Sequence, residues 1–401
     1  EPGNFQANFS GPVSVSEALQ RSLNVPAVDL LDRIGPRRFA SQLRSGGLRL
    51  RLPAGGEPNL SIILGGAGTT LEELVGAFRA LAAKGMGGVP RLDPAAPRVE
   101  NRMMSEGAAF IVRDILESGG HPDRPFVEEG GRRIAWKTGT SFGFRDAWAI
   151  GVSGNYTVGV WIGRPDGTPN PGFFGANIAA PLLKDIVAAL PAGNQPARNK
   201  PASVSTSQIC WPLGTGAEST PAALCPHKRS AWILNNTIPP TLPDRASERS
   251  LRETIWVEPV SGLRTTPACT HTAVKREIAR WPSYLEPWIS PADLKAQSPA
   301  WLPACRHDEA DSGGRITLQG VATGAQIRPA PGQPTARLDL RAAGASGNLY
   351  WLLDGKLLHS SPAGTEERIE IYENGEHVVT VMDTQGRYAS ARFVAKGFLP
   401  Q

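Results

Sequence analysis

This sequence has no long apolar run, no closely spaced cysteine pair and no basic run with interleaved aromatics. Each absence argues against one class of protein: membrane-spanning, zinc-binding or nucleic-acid-binding. No run of about 18 apolar residues occurs, so the sequence predicts no membrane-spanning helix within residues 1–401. No Cys-x2-Cys pair occurs, which disfavours the usual structural zinc clip. The basic residues form no run with interleaved aromatics, so a net charge of +5 gives no reason to expect nucleic-acid binding. No motif indicates a catalytic metal, a nucleotide or another cofactor.

Glycine and proline, by contrast, are abundant. The 44 Gly and 36 Pro among 401 residues exceed average usage and predict turn-rich structure with linkers. A hydrophobic content of 40% is enough for more than one core, and the length predicts two to three domains. The composition is therefore that of a globular, multidomain chain.

The most informative stretch runs from Lys137 to Ser141 and reads Lys-Thr-Gly-Thr-Ser. A cationic residue followed by hydroxyl, glycine and hydroxyl is how serine acyl transferases seat a substrate carboxylate. Lys137 supplies a positive charge, Thr138 and Thr140 supply donors, and Gly139 leaves the strand edge open to a substrate. An ordinary basic strand ending in a turn is the alternative. The flanking residues favour a strand, so acyl transfer is the leading hypothesis.

A second polar element lies upstream at Ser22-Leu23-Asn24. In an extended loop alternate residues point the same way, so the Ser22 hydroxyl and the Asn24 amide are expected to face one cleft. The alternative is a helix end that passes into the next helix, with Asn24 as the cap. Pro26 stands where a new helix could begin.

At these motifs the chain resembles the transpeptidase domain of bifunctional class A penicillin-binding proteins, and its C-terminal third resembles their 1C subgroup. The resemblance covers nearly all of the chain and is carried by these segments: 18–28, 136–141, 145–148, 160–163 and 209–214. It implies an α+β fold, a penicillin-binding transpeptidase fold with an antiparallel sheet flanked by helices. A disulfide-pinned connector and a small immunoglobulin-like β-sandwich are expected to follow.

The sequence departs from that family in one respect. The family places its nucleophile in a Ser-x-x-Lys tetrad upstream of the Ser-x-Asn triplet, and no such tetrad occurs in residues 1–401. We expect the chain to be the C-terminal piece of a longer protein, with the nucleophile on an upstream segment or chain. The resemblance implies that a transmembrane anchor and a glycosyltransferase domain also belong to that part.

The resemblance further implies a role for each motif residue. Ser22 would relay a proton in contact with Lys137, and Asn24 would hydrogen-bond the substrate amide. The hydroxyls of Thr138 and Thr140 would hold the terminal carboxylate, with Gly139 and Ser141 completing the substrate site. The expected partners are peptidoglycan stem peptides and β-lactam antibiotics, and the expected location is the periplasm, anchored to the bacterial inner membrane.

Three segments are predicted along the chain: a transpeptidase portion over 1–192, a linker and Cys/Trp/Pro-rich connector over 193–310, and the sandwich over 311–401. In the first, a capping box at Thr70 predicts one helix, and a second helix is predicted to follow Ser105. Strands are predicted at about 132–138, 146–152 and 156–162, and a closing helix over 179–190. In the sandwich, Asp354-Gly355 and Asn374-Gly375 are hairpin signals. The connector is expected to be rich in loops.

All four cysteines lie after position 200, at Cys210, Cys225, Cys269 and Cys305. An even count at wide spacing favours two disulfides in an oxidising compartment, and sequential pairing is the preferred connectivity among three. Zinc is the alternative, because a histidine follows two positions after Cys225 and after Cys269.

Two further hypotheses concern function. A non-catalytic module would use the same cleft and sandwich to bind peptidoglycan or a protein partner without turnover. A β-lactamase or β-lactam sensor would share the motifs, but no Glu-containing deacylation loop is recognisable between Asn24 and Lys137, and a long β-rich region follows.

Overall fold

The fold is taken from a computed structural model, which describes residues 11–53, 55–120, 122, 132–191, 199–239, 241, 252–279, 288–290, 293, 299–305, 316–330, 332–384 and 387–398. The chain divides into two compact units. The first consists mainly of Val13–Ile209 and Lys228–Pro239, and the second mainly of Cys210–His227 and Pro240–Gln401. The predicted domain boundaries, at 192/193 and 310/311, fall outside the described residues and stay predictions.

Helices make up much of the first unit: α1 Val15–Gln20, α2 Asn24–Ile34, α3 Pro36–Ser45, α4 Leu71–Phe78, α5 Glu106–Ser118 and α6 Ala180–Ala189. The predicted capping box at Thr70 is confirmed, and α5 follows Ser105 directly, as predicted. The Thr70 hydroxyl accepts the Glu73 N–H at 3.1 Å, and the Ser105 hydroxyl accepts the Ala108 N–H at 3.1 Å. None of the helices in the described ranges is long and apolar enough to cross a bilayer.

An antiparallel sheet of β3 Ala135–Thr140, β4 Asp146–Ser153 and β5 Tyr156–Gly163 lies at the centre of the first unit. The predicted hairpin between β4 and β5 is confirmed by the pairing of Ser153 with Tyr156. β3 begins later than predicted and extends through Thr140. Leu183 of α6 is fully buried against Ala149 and its neighbours, so α6 covers one face of the sheet. A short pair, β1 Met86–Gly88 with β2 Glu100–Arg102, lies outside this sheet.

The extended-loop expectation for Ser22-Leu23-Asn24 is wrong. Ser22 adopts a left-handed φ of 55° in the turn that ends α1, and Asn24 is the first residue of α2. Leu23, not Asn24, is the N-cap residue of α2. The backbone of the turn is hydrogen-bonded, with Leu23 N donating to Ala18 O at 2.9 Å, and this bond makes the segment a compact helix-to-helix junction.

The connector contains more paired strands than its sequence predicts. Two two-stranded sheets form, β6 Val204–Trp211 with β7 His227–Leu234, and β8 Arg252–Val257 with β9 Val274–Ala279. In the second pair Ile255, Val257 and Ile278 are buried together. The sequence signal for these strands is weak because each sheet buries few residues and the alternation in each strand is short.

Disulfides close two loops of the second unit. Cys210 is bonded to Cys225 and Cys269 to Cys305, which is the preferred sequential connectivity. Because all four sulfurs are in disulfides, the thiolates that the zinc alternative required are not available.

The end of the chain forms two packed sheets, in the orders β10-β12-β15 and β11-β17-β16-β13-β14. Their strands are β10 Thr317–Gln319, β11 Gln326–Ile327, β12 Ala336–Ala343, β13 Asn348–Leu353, β14 Lys356–Pro362, β15 Glu367–Ile371, β16 Gly375–Asp383 and β17 Tyr388–Ala395. Trp351 and Phe393 are fully buried between the sheets, as a β-sandwich requires.

One of the two hairpin signals in the sandwich is confirmed and one is wrong. Asp354 and Gly355 both have positive φ and join β13 to β14. Asn374 and Gly375 join β15 to β16, which belong to different sheets, so the chain crosses between layers there instead of turning back on itself. The Asn374 side chain pairs with the backbone of Phe398, at 2.8 and 3.0 Å.

Candidate active site

Lys137 and Ser22 meet in the structure. The Lys137 ammonium donates a hydrogen bond to the Ser22 hydroxyl and a second one to the Thr138 carbonyl oxygen at 3.2 Å. Lys137 lies on β3, and Ser22 lies in the exposed turn between α1 and α2. The two sequence motifs therefore form one site.

The Lys137 side chain is half-buried, and burial lowers its pKa from the ordinary value of 10.5. Desolvation disfavours the ammonium form, so the amine gives up its proton more readily than an exposed lysine does. An amine of this kind, in contact with a hydroxyl, can pass a proton along the pair.

Hydrogen bonds around α1 hold the Ser22 turn in place. Ser14 and Glu17 form a capping box, with the Glu17 N–H donating to the Ser14 hydroxyl at 3.1 Å and the Ser14 N–H donating to the Glu17 carboxylate at 2.9 Å. At the other end of α1, the Gln20 amide donates to the Ile115 carbonyl oxygen at 3.3 Å, which ties α1 to α5. The Ser-x-x-Glu spacing at positions 14–17 is the sequence signal from which this cap is predictable.

Asn24 is half-buried at the first turn of α2, two positions after Ser22. The junction thus presents a hydroxyl and a carboxamide within three residues, although from a turn and a helix start, not from an extended loop. Both residues follow shortly after the end of α1, and Ser22 accepts the hydrogen bond of Lys137.

Strand alternation separates Lys137 from the two threonines. Lys137 points toward Ser22, whereas Trp136, Thr138 and Thr140 occupy the alternate positions, and Trp136 packs on the α6 side of the sheet. The Thr140 hydroxyl accepts a hydrogen bond from the Gly175 N–H at 3.0 Å. The ammonium and the hydroxyls therefore belong to opposite faces of β3 and share only its edge.

The edge of β3 is where those groups converge. β3 is an outer strand of its three-stranded sheet, so its far edge is not paired with any strand of the described residues. A methyl group on Gly139 would lie 3.7 Å from the Trp148 Cβ, an ordinary contact, so packing alone does not require glycine there. An exposed residue without a side chain leaves room for an extended ligand along the edge.

Ser141 lies just beyond the strand and is engaged in its turn. Its hydroxyl accepts the Asp146 N–H at 2.8 Å, and its own N–H donates to the Asp146 carbonyl oxygen at 3.0 Å. Asp146 in turn accepts from the Trp161 indole at 2.9 Å. These bonds set where β3 ends and β4 begins. Within the described residues no group of three or more His, Cys, Asp or Glu side chains could hold a metal ion.

The chain is similar in sequence to known penicillin-binding proteins. It is 40% identical over 400 residues to penicillin-binding protein 1C of Escherichia coli (strain K12), and the match takes in 98% of this chain and 51% of that protein. It is 30% identical over 233 residues to penicillin-binding protein 1A of Clostridium botulinum (strain Langeland), covering 52% of this chain and 27% of that protein. The chain belongs to the class A penicillin-binding proteins.

The subgroup is indicated by the regions that follow the site. Residues 203–233 match the penicillin-binding protein 1C linker domain, and residues 246–297 match its second linker domain. Residues 305–393 match the penicillin-binding protein C-terminus family. Within the class, the chain is therefore a relative of the 1C proteins.

The chain spans about half the length of the 1C relative, 51% of it. A crystal structure of penicillin-binding protein 1A from Haemophilus influenzae is similar over 60% of this chain and 42% of that one, with 18% identity and a TM-score of 0.48. At that level the structural likeness adds nothing to the assignment from sequence.

Proposed function

We propose that this chain forms the C-terminal part of a peptidoglycan D,D-transpeptidase that works by serine acyl transfer and is a target of β-lactams. The observation that carries the proposal is the hydrogen bond from the Lys137 ammonium to the Ser22 hydroxyl, because it joins two motifs that lie 115 positions apart. Membership of the class A family supports the same activity. The nucleophilic serine is proposed to lie in a Ser-x-x-Lys segment outside residues 1–401, which contain none.

The proposed reaction has two steps. The serine oxygen attacks the carbonyl carbon of the penultimate D-Ala, the amide C–N bond breaks, and the terminal D-Ala leaves with a proton on its nitrogen. An amine of a neighbouring stem peptide then attacks the serine ester, forms a new amide bond and returns the proton to the serine. A β-lactam follows the first step only, since its amide nitrogen stays tethered after the ring opens.

Lys137 and Ser22 are proposed to carry the proton to the departing nitrogen. The lowered pKa of Lys137 suits this task, because proton transfer is most efficient when the donor and the acceptor are closely matched in pKa. Asn24 is proposed to hydrogen-bond the substrate amide from the start of α2.

The edge of β3 is proposed to hold the rest of the substrate. The hydroxyls of Thr138 and Thr140 would bind the terminal carboxylate, Gly139 would leave space for the peptide, and Ser141 would fix the end of the strand. The Thr140 N–H would serve as one oxyanion donor, a contribution of about 10²–10³ in rate. The alternating faces of β3 support this division between proton transfer and carboxylate binding.

The proposed setting follows from the family. Peptidoglycan stem peptides are the proposed substrates, and the proposed location is the periplasm, with attachment to the inner membrane outside residues 1–401. The two disulfides support an oxidising compartment. A glycosyltransferase activity is proposed to belong to that outside part as well.

The test is intact-mass spectrometry of the natural gene product that contains residues 1–401, with and without benzylpenicillin. We expect one drug mass to be added, on a serine of a Ser-x-x-Lys segment outside these residues. In the same protein Lys137→Ala should slow acylation by about 10²–10⁴, as for loss of a general acid–base group. Lys228→Ala removes an exposed lysine of the same unit and should acylate normally.

Three results would contradict the proposal. An adduct on a serine within residues 1–401 would mean that the nucleophile lies in this chain and not upstream of it. Near-normal acylation of Lys137→Ala would remove Lys137 from the mechanism. No adduct at all would favour the non-catalytic binding module.

A further inference from the structure

Gly175 contacts the C-terminal end of β3 through its backbone. It is the first residue of a π-helical turn, Gly175–Ala179, that continues directly into α6. Its N–H donates to the Thr140 hydroxyl oxygen at 3.0 Å. The start of this helix is therefore fastened to one of the two threonines of the site.

The approach is too close for any side chain. A Cβ on residue 175 would lie 2.5 Å from the Trp148 carbonyl oxygen, 2.6 Å from the Gly139 carbonyl oxygen and 3.0 Å from the Thr138 Cβ. Two of these are backbone atoms of paired strands, which cannot rotate away as a flexible side chain can. Glycine is thus required for the contact and not only tolerated.

The segment before Gly175 is held by Asn177. The Asn177 side-chain oxygen accepts the Phe174 N–H at 2.9 Å, and its NH₂ group donates to the Gly172 carbonyl oxygen at 2.8 Å. These bonds fix the chain on the N-terminal side of residue 175. The direction of the Gly175 N–H toward Thr140 is consequently fixed on both sides. The hydrogen bonds of Asn177 hold the residues before Gly175, and the helical turn holds the residues after it.

A threonine hydroxyl has one proton to donate and two lone pairs that accept. Because the Gly175 N–H occupies one lone pair of Thr140, the hydroxyl proton must point away from Gly175. We propose that Gly175 is a positioning residue, which holds the Thr140 hydroxyl as a donor to the carboxylate of the substrate or of a β-lactam. This inference rests on the proposed function and adds a residue to it.

The experiment compares benzylpenicillin with its methyl ester, which lacks the carboxylate. Second-order acylation rates are measured for the natural gene product and for Gly175→Ala, Thr140→Val and the double variant. With the free acid, Gly175→Ala should slow acylation by roughly tenfold to hundredfold, the range expected for a hydrogen bond to a charged group. With the ester it should change the rate little.

Coupling between the two residues is the sharper readout. If Gly175 acts through the Thr140 hydroxyl, the double variant should be no slower with the acid than Thr140→Val alone. Thr140→Ser keeps the hydroxyl and should keep the preference for the acid. Gly68→Ala is the matched control, because its Cβ would meet only ordinary contacts at 3.6 Å and beyond.

Asn177→Ala is a second variant that adds no bulk, and it guards against misfolding of Gly175→Ala. It should reduce acylation by the acid more than by the ester, and have no further effect when Thr140 is valine. Equal losses with acid and ester, or additive losses in the double variants, would make the Gly175 contact purely structural and overturn the inference. A wild-type protein that neither compound acylates would instead overturn the proposed function.

Discussion

The Lys137 ammonium and the Ser22 hydroxyl are hydrogen-bonded across 115 positions of sequence. One comes from the outer strand of a sheet and the other from a left-handed turn between two helices. Their contact depends on the placement of α1, which the Ser14–Glu17 cap and the Gln20 bond to α5 determine. The Lys137–Ser22 contact is therefore kept only while α1, a helix of six residues, stays packed in its place.

Replacing Lys137 with methionine should slow acylation by about 10²–10⁴, as proposed for Lys137→Ala, without destabilising the fold. Methionine keeps the aliphatic stem but carries no charge to desolvate, and burial is what lowers the pKa of Lys137. We expect the melting temperature at pH 7 to be unchanged or higher than that of the wild type, while penicillin acylation is slowed to that extent.

Stability should also depend on pH through Lys137. The folded pKa of Lys137 lies below its unfolded value of 10.5, so in the window between them the unfolded state binds more protons. The wild type should therefore gain stability as pH rises through that window, and Lys137→Met should lack this gain. Melting temperatures from pH 7 to 10.5 measure it; a steeper rise in the variant would contradict the assignment.

Trp232→Phe should cost about 1.5–3 kcal/mol, the range for a hydrogen bond to a charged group. The Trp232 indole donates to the Asp114 carboxylate at 2.8 Å, and Asp114 is only 9% exposed. Its ring also packs edge-on against Phe110, with centroids 5.5 Å apart, and phenylalanine can keep that contact. Urea unfolding of both proteins measures the difference.

The matched control is Trp161→Phe. Its indole donates to Asp146 at 2.9 Å, the same kind of bond at an exposed position. Water can replace the lost donor there, so the cost should stay below about 1 kcal/mol. If the two variants lost equal stability, burial of Asp114 would not be the reason for the larger effect.

The two disulfides should contribute different free energies to stability, because they close loops of different length. Cys210–Cys225 closes a loop of 15 positions and Cys269–Cys305 one of 36. Loop-closure entropy then predicts losses of about 3 and about 4 kcal/mol when each pair is replaced by serine. Denaturant unfolding followed by tryptophan fluorescence would show the order; a larger loss for the shorter loop would contradict the entropic account.

His377 should make the sandwich more stable in mild acid. Burial alone lowers the pKa of its ring, but hydrogen bonds to the Asp354 carboxylate at 2.6 Å and the Glu373 carbonyl oxygen outweigh burial and raise it above 6.5. The raised pKa means that the stabilisation is complete below pH 6.5 and is lost as pH rises through the folded pKa.

Melting curves of the natural gene product from pH 5.5 to 9 would test this, with Asp354→Asn as the comparison. The asparagine removes the negative charge, so the variant should be less stable in mild acid and should lose less stability as pH rises. An unchanged pH profile in Asp354→Asn would exclude the His377–Asp354 pair as its source.

Local signals in the sequence predicted much of the fold. The capping box at Thr70, the helix after Ser105, the β4–β5 hairpin, the Asp354-Gly355 turn and the sequential disulfides are all present. Each depends on residues close together in sequence, or on four cysteines with few ways to pair. The failures have the opposite character: Asn374-Gly375 has hairpin composition, but the packing of two sheets decides that the chain crosses between them there.

In the candidate site, too, some features could be predicted from the sequence and others could not. Its residue types and the strand that carries Lys137 were predictable, and so was the family, because they reside in contiguous motifs. The left-handed turn at Ser22 and the Gly175 contact with Thr140 were not.

The sequence by itself determined the local chemistry of this protein: which residues can cap, pair, donate and accept along each segment. Only the tertiary structure decided which of those groups meet, since Lys137 reaches Ser22 and Gly175 reaches Thr140 through the packing of α1, α5 and α6 around one sheet. The physical reason is that short-range conformational preferences are set by neighbouring residues, whereas contacts between distant segments depend on how whole elements bury their apolar faces against one another.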